Sequence, residues 1–326
     1  MKLSILTATY NRGKFLKRLY ESILNNLIDD MDVEWLIMDD GSTDDTNEVV
    51  QEFQSKKNFE IKLYKQENQG KMNAINNLME YITGELCIEC DSDDFFAENA
   101  LKIINNKYKI IQENQNLYAL VFLKNEYKGK LSGNYFFNEN IDTTMFDLYF
   151  KKNITGEKII IYNSSIRKKY KYLVEEGEKF CTEARLHHQM DQKYKIRCYN
   201  EVLIEGEYQV DGYTSNMNKI FVENPKGFYE YFKEILKLDM SNVILKKRIY
   251  VIKHYILFAY LSKSKIKLSD VNSIINKYLI VVMYIPGILK SVLFTKNMGG
   301  ERWKITKKYN NKKIVKNNKN GRWIEC

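Results

Sequence analysis

Apolar and polar positions alternate between two periods over the first 120 residues. Leu3–Thr7, Val33–Met38, Ile61–Tyr64 and Leu86–Cys90 are short, nearly unbroken apolar runs, and they predict strands covered on both faces. Between them Phe15, Leu16, Leu19, Ile23 and Leu27, and later Ile75, Leu78, Met79 and Ile82, recur at helical spacing. Ser42 with Asp45 three places on predicts a capping box, with Asp in place of Glu, opening a helix over Asp45–Lys56. Strand followed by helix, repeated, means βαβ units: an α/β fold with a mixed, mostly parallel sheet and helices on both sides. Further on, Leu117–Phe122, Lys158–Tyr162, Lys195–Tyr199 and Leu203–Tyr208 predict strands, and Glu183–Met190 a helix.

From about residue 217 the pattern turns helical, with apolar helices over 243–262 and 268–294 interleaved with Lys and Arg. Three parts follow: an α/β domain over 1–216, a helical extension over 217–295 and a basic tail over 296–326. Tyr278–Leu289 is an uncharged run of 12 residues. A span needs about 20 apolar residues, so this run is expected to lie at an interface or in a core rather than to cross. A mean hydropathy of −0.47 excludes a polytopic membrane protein. The net charge of +9 is unevenly placed, because residues 296–326 carry eight Lys and two Arg against two Glu. The body is nearly neutral, which argues against nucleic acid as a partner. The tail suits an anionic surface such as the inner leaflet of a membrane. Only Leu3–Ala8 are uncharged before Tyr10, Asn11 and Arg12, too short for a signal-peptide core. The expected location is therefore cytoplasmic, peripheral at the membrane's cytoplasmic face.

Five cysteines, odd in number and widely spaced, do not make a disulfide framework. Cys87 and Cys90 have half the spacing of a zinc site but lie in a predicted strand, where residues three apart face opposite ways. Three histidines leave little room for a His-based centre.

In open parallel sheets, ligands bind beyond the carboxyl ends of the strands. Those ends carry Thr7-Ala8-Thr9-Tyr10-Asn11, Asp39-Asp40-Gly41-Ser42 and Asp91-Ser92-Asp93-Asp94. So many carboxylates at one edge repel unless a cation joins them, and Mg²⁺ or Mn²⁺ with oxygen ligands suits the set. The first strand leads into no Gly-x-Gly-x-x-Gly. Gly70-Lys71 fails as a P-loop, because residue 65 is Lys and residue 72 is Met. A metal on the Asp91-x-Asp93 pair would neutralise phosphate instead.

These segments, together with Asn68-Gln69-Gly70-Lys71-Met72-Asn73-Ala74 and Thr83-Gly84-Glu85, resemble in order and spacing the family 2 glycosyltransferases of the GT-A fold. Glu176–Glu183 and Tyr208–Asn216 are similar to the bacterial surface-polysaccharide branch. Two positions depart: Ala8 stands where the family often has Pro, and Ala184 where it often has Asp after the acidic residue of the acceptor-side helix. The resemblance implies a nucleotide-sugar donor, a UDP-sugar above all, and a saccharide or lipid-linked acceptor. It implies that Thr7, Thr9 and Tyr10 line the nucleobase pocket and that Asp39 accepts a hydrogen bond from the base. Lys71 would sit beside base or phosphate, Asp91 would contact ribose or donor sugar, and Asp93 would ligate the metal.

Glycosyl transfer needs a stabilised leaving diphosphate and a base for the acceptor hydroxyl. The acidic run Glu175, Glu176, Glu178 and Glu183 is the candidate base region. Glu183 opens a short helix, where the helix dipole favours a carboxylate, and the family's base occupies that helix; Glu178 is its competitor. His187, at i+4 from Glu183, is a candidate to orient it. Asp40 and Asp44 read more simply as turn and cap residues. Two other classes fit the outline less well. A nucleotidyltransferase would carry a Gly-rich basic N-terminal loop, and a non-catalytic sugar-binding scaffold would not need both Asp91-x-Asp93 and Glu183.

Overall fold

The computed structural model describes residues 1–126, 129–207, 209, 212 and 214–309. The chain divides into two compact units, Met1–Ser215 and a second that begins at Asn216. The first unit opens with β1 (Lys2–Thr9), α1 (Gly13–Asn26), β2 (Asp32–Asp39), α2 (Thr46–Lys56), β3 (Glu60–Lys65), α3 (Lys71–Leu78) and β4 (Leu86–Glu89). It continues with β5 (Asp94–Phe96), α4 (Ala100–Glu113), β6 (Leu117–Glu126), β7 (Lys130–Leu131), β8 (Asp142–Thr143), β9 (Lys158–Asn163), α5 (Ser164–Arg167), α6 (Glu183–Asp191) and β10 (Lys195–Gly206).

The sheet order is β3-β2-β1-β4-β9-β6-β10-β5. β3, β2, β1 and β4 are parallel, as the βαβ pattern predicts. Beyond β4 the sheet becomes mixed. β9 inserts antiparallel between β4 and β6, setting Tyr162 beside Cys87 on one side and Ile160 beside Val121 on the other. The two apolar runs expected at 195–199 and 203–208 belong to one strand, β10, interrupted between Cys198 and Val202 where its register against β6 shifts. A local bulge accounts for the break in the apolar pattern. Tyr208 lies outside the described residues.

Both faces of the sheet are covered. Leu3, Ile5 and Trp35 pack with Leu16, Leu19, Val50, Phe53 and Ile104 of α1, α2 and α4. Leu6, Leu36 and Met38 pack on the other face with Ile75 and Leu78 of α3 and Leu186 and Met190 of α6. Cys87 and Cys90 fall into opposite clusters, as alternation along a strand requires. The expected capping box does not form. Asp45 makes no side-chain cap bond. Asp44 instead accepts from the Thr46 backbone N–H at 3.1 Å and from the Gly13 N–H at 3.2 Å, and Ser42 Oγ accepts from the Asn11 N–H. The carboxylate one place earlier reaches both helix starts, so the cap shifts to it.

The second unit holds α7 (Met217–Glu223), α8 (Pro225–Ile235), α9 (Leu245–Leu261) and α10 (Ile274–Tyr309). Its core is aromatic, with Phe258 stacked on Phe228 and Phe232 at centroid distances of 4.9 and 5.7 Å. α10 crosses α9 closely at Gly287, where a Cβ would stand 2.8 Å from Ile256 Cγ2. The opposite face leaves Ile274, Tyr278, Val281, Ile285 and Leu289 exposed, at spacings of three and four. The run Tyr278–Leu289 extends into a helical segment, Ile274–Lys296, of 23 residues and mean hydropathy 1.8, long and apolar enough by those measures to cross a membrane. Lys277 and Lys290 bound the apolar run but interrupt neither the helix nor its hydropathy. Most of the basic tail, 310–326, lies outside the described residues.

Glu34 on β2 is fully buried beneath the sheet edge. It accepts from Ser4 Oγ at 2.5 Å, from the Thr83 N–H at 2.6 Å and from Thr83 Oγ1 at 2.8 Å, and it pairs with Lys2 Nζ at 3.0 Å. Burial pushes its pKa up, but these donors outweigh burial and hold it at about 2 against an ordinary 4.5. A depressed carboxylate contributes stability above its unfolded pKa and loses it as pH falls through the folded one. Glu34→Gln should therefore lower Tm most at neutral pH, with the gap to the parent chain narrowing between pH 4.5 and about 2. Thermal melts across that range check it, and a constant gap would contradict the assignment.

Candidate active site

The carboxyl ends of β1, β2 and β4 form the floor of the site. The loops after β1 and β2 clasp each other: Asn11 Oδ1 accepts from the Thr43 N–H at 2.7 Å, and Asp39 Oδ1 accepts from the Ser42 N–H at 2.8 Å. Asp40 is buried and faces the next loop, where it accepts from Gln66 Nε2, the Gln69 N–H and the Gly70 N–H at 2.7–2.8 Å. It is a turn anchor, as the plain reading has it. Tyr10 is half-exposed at the end of β1. Thr9 is buried and its Oγ1 has no hydrogen-bond partner among the described residues. Thr7 departs from the expectation, because its hydroxyl accepts the Trp35 indole N–H at 2.9 Å in the core. Thr9 lies on the same face of β1 two residues on, and the Thr7 hydroxyl is committed to that indole.

Asp40 delivers Gly70 and with it Lys71, the first residue of α3. Lys71 Nζ lies 2.7 Å from Asp91 Oδ1 and 3.0 Å from Glu183 Oε1. One ammonium thus joins a carboxylate after β4 to a carboxylate that opens α6. Burial alone would lower the Lys71 pKa, but the charges of Asp91 and Glu183 outweigh it and raise the pKa well above its ordinary value. Asp91 is held below the carboxylate range, with Lys71 overcoming the effect of burial. Asp93 is pushed up, first by burial and then by the charge of Asp91, and Arg12 stands 3.6 Å from it.

Three basic residues that the sequence reading gave no role frame this cluster. Arg12 faces Asp93, Arg18 Nη2 donates to the Asp93 carbonyl at 2.7 Å, and Lys124 pairs with Asp94 at 2.8 Å and Glu157 at 2.6 Å. Burial raises the Asp94 pKa to about 7 despite Lys124. Arg12 stood inside a recognised motif, but Arg18 and Lys124 carry no signal beyond their periodicity.

On the other side, Glu183 is the first residue of α6 and its side chain is half-exposed. Glu175 is paired with Arg185 at 2.8 Å, and Lys179 reaches Asn68 Oδ1 at 2.7 Å. His187 is buried and its Nε2 meets Tyr162 Oη at 2.8 Å. Burial and the nearby Arg167 charge lower its pKa to about 3. It lies on the core face of α6, so it does not orient Glu183; a position at i+4 shares a helix stripe only approximately. Below, Arg167 donates to Glu89 at 2.9–3.1 Å, and Tyr172 Oη donates to the same carboxylate at 2.7 Å, linking the end of β4 to the segment that leads into Glu183.

Among the described residues no three His, Cys, Asp or Glu side chains gather as a metal cage. Two mutually repelling carboxylates, Asp91 and Asp93, instead fit a hard divalent ion that shares its ligands with a diphosphate.

Residues 4–158 match the model of glycosyl transferase family 2, and this stretch is a domain of that family. An uncharacterized glycosyltransferase of Mycoplasma genitalium is 33% identical over 125 residues, 37% of this chain and 41% of that protein. Chondroitin synthase of Escherichia coli is 34% identical over 107 residues, 33% of this chain and 15% of that protein. The matched stretch thus spans about two fifths or less of such curated relatives' length. Among solved structures, residues 1–349 of Staphylococcus aureus TarS in complex with UDP superpose with a TM-score of 0.56 at 17% identity, covering 92% of each chain. A mannosyltransferase from Pyrobaculum calidifontis in complex with GDP-Man and Mn²⁺ gives 0.52 at 12%, covering 90% of this chain and 84% of that one. At these identities the likeness is one of fold, and it is the GT-A fold.

Gly70 sets the position of Lys71. Its φ of 89° and ψ of 156° are essentially glycine-only, and a Cβ there would stand 2.1 Å from the Lys179 carbonyl oxygen. Gly177 also has a positive φ but no atom within 4 Å of such a Cβ. Gly70→Ala should cost more than the about 1–3 kcal/mol of backbone strain alone, and more than Gly177→Ala. Denaturant unfolding of both variants checks the order.

Proposed function

We propose that this protein is an inverting glycosyltransferase that moves a sugar from a nucleotide-diphosphate donor, a UDP-sugar, to a hydroxyl of a growing cell-surface polysaccharide or lipid-linked oligosaccharide. The observation that carries the reading is Lys71 Nζ between Asp91 and Glu183. It supports the reading because a carboxylate after β4 and a carboxylate opening α6 flank one ammonium, while single displacement needs a leaving diphosphate and a base on opposite sides of the anomeric carbon. Tyr10 and Thr9 at the end of β1 line the nucleobase pocket and Asp39 accepts from the base. Lys71 and Arg12 face the diphosphate. Asp91 and Asp93 hold Mn²⁺ or Mg²⁺, which when bound stabilises the departing diphosphate as a Lewis acid. Glu183 is the general base. Its Oε1 is held by Lys71, so the acceptor proton passes to Oε2.

The test uses paired assays on the full chain. Glu183→Gln should lower transfer by about 10²–10⁴-fold while UDP binding persists, and Asp93→Asn should abolish metal-dependent transfer with the fold intact. Normal transfer in Glu183→Gln would reject it as the base. Joint loss of transfer and nucleotide affinity would move it to the donor side. No turnover of any UDP-sugar by the parent chain would favour a non-catalytic sugar-binding role.

The same reading puts the protein at the cytoplasmic face of a membrane. The exposed stripe Ile274, Tyr278, Val281, Ile285 and Leu289 supports this, with the basic tail that follows it in the sequence. Phosphatidylglycerol vesicles at low salt should retain the protein, and Val281→Glu with Ile285→Glu, or deletion of 296–326, should reduce retention. Alkaline carbonate should release the parent chain, because the helix lies on the surface; resistance to extraction would mean that it spans.

A further inference from the structure

Away from the acidic cluster, the loop between β7 and β8 holds an unusual arrangement. Phe136 is buried in the sheet core, while its neighbours Tyr135 and Phe137 are 60% and 77% exposed. The loop that carries them is pinned. Gly133 and Gly156, at φ of 77° and 78°, press backbone to backbone, and a Cβ on Gly133 would stand 1.9 Å from the Thr155 carbonyl oxygen. Asn134 Oδ1 accepts from the Thr155 N–H at 2.7 Å. Asn200 brackets Phe136 from both sides, its Oδ1 accepting from the Phe136 N–H at 2.8 Å and its Nδ2 donating to the Phe136 carbonyl at 3.0 Å. The Asn200 N–H in turn donates to Glu139 Oε1 at 2.6 Å.

The pinned loop is continuous with the candidate active site. β7 pairs with Asn125 and Glu126, directly after Lys124. Glu157, next to Gly156, shares Lys124 with Asp94. The loop that carries the rings is therefore rooted next to Lys124 and its partner Asp94, on a frame that does not have to be ordered when something binds.

We infer that Tyr135 and Phe137 form a stacking platform for an extended saccharide, bound through the C–H faces of hexopyranose rings beyond the point of transfer. This rests on the glycosyltransferase reading. The chemistry selects the ligand. β-linked rings of glucose or N-acetylglucosamine configuration carry their substituents equatorially, so each ring offers an apolar face of axial C–H bonds to an aromatic ring. Its rim of hydroxyls meets amides and carboxylates, and the loop places the exposed Asn138 and Glu139 next to Phe137.

The experiment titrates the full-length protein with cellohexaose and chitohexaose, and separately with UDP, by calorimetry. The variants are Tyr135→Ala, Phe137→Ala and Phe137→Trp. The parent chain should bind a hexasaccharide, each alanine should weaken that binding about tenfold, and Phe137→Trp should keep it. UDP affinity should be the same in all four proteins. Alanine variants that bind as tightly as the parent would overturn the platform, as would a parent that binds neither hexasaccharide. A dimer in sedimentation that the alanine variants lose would reassign the rings to a protein interface. Ring-dependent hexasaccharide binding without UDP binding would leave the platform standing and remove the donor reading.

Discussion

A single buried-stem lysine ties the two halves of the site together. Lys71 takes its charge partners from chain positions 20 and 112 residues away, and its ammonium touches both carboxylates. Everything upstream serves its placement. Asp40 fixes the loop ahead of α3, Gly70 lets that loop lie against the Lys179 carbonyl, and the ridge of α3 packed on the sheet carries the stem. Since both carboxylates remain half-exposed, the ion pairs are screened and their value lies in geometry more than in stability.

The motif residues divide by where their side chains go. Thr83-Gly84-Glu85 could be taken for part of the chemistry, yet each residue holds the sheet edge. Thr83 donates twice to Glu34, the Gly84 N–H donates to Ser4 Oγ, and Glu85 accepts from the Lys2 N–H. A side chain at Gly84 would collide with the Lys2 carbonyl oxygen. Asp40, Asp44 and Thr7 likewise serve the frame. Family motifs of this kind record two pressures at once, and only the burial of each side chain separates them.

The parallel half of the sheet was legible in the sequence because each strand is covered on both faces and each crossover helix shows its own period. The carboxyl-end cluster followed from topology alone. What sequence could not convey was long-range pairing. Lys158–Tyr162 reads as a strand, but nothing in it says that it runs antiparallel between β4 and β6. Ionic partners were invisible for the same reason: Arg18 and Lys124 look like ordinary surface positions until the fold brings them to Asp93 and Asp94. His187 failed differently. It was assigned from spacing along one helix, and the decisive fact was which side of that helix meets the sheet, where Tyr162 waits.

The place of β9 has a consequence for how the molecule is made. β4 and β6 emerge from the ribosome first, yet neither can be joined to the other until residues 158–163 arrive to lie between them. Through that interval two apolar strands have open backbone edges, which are templates for pairing with other chains. The stretch shared with the family model stops at residue 158, where β9 begins. A fragment cut to those borders would keep Asp39, Asp91 and Asp93 and still leave both edges unsealed. A self-sufficient piece of this fold must reach past β9, a strand that carries none of the proposed chemistry, to β10 on the far side of β6.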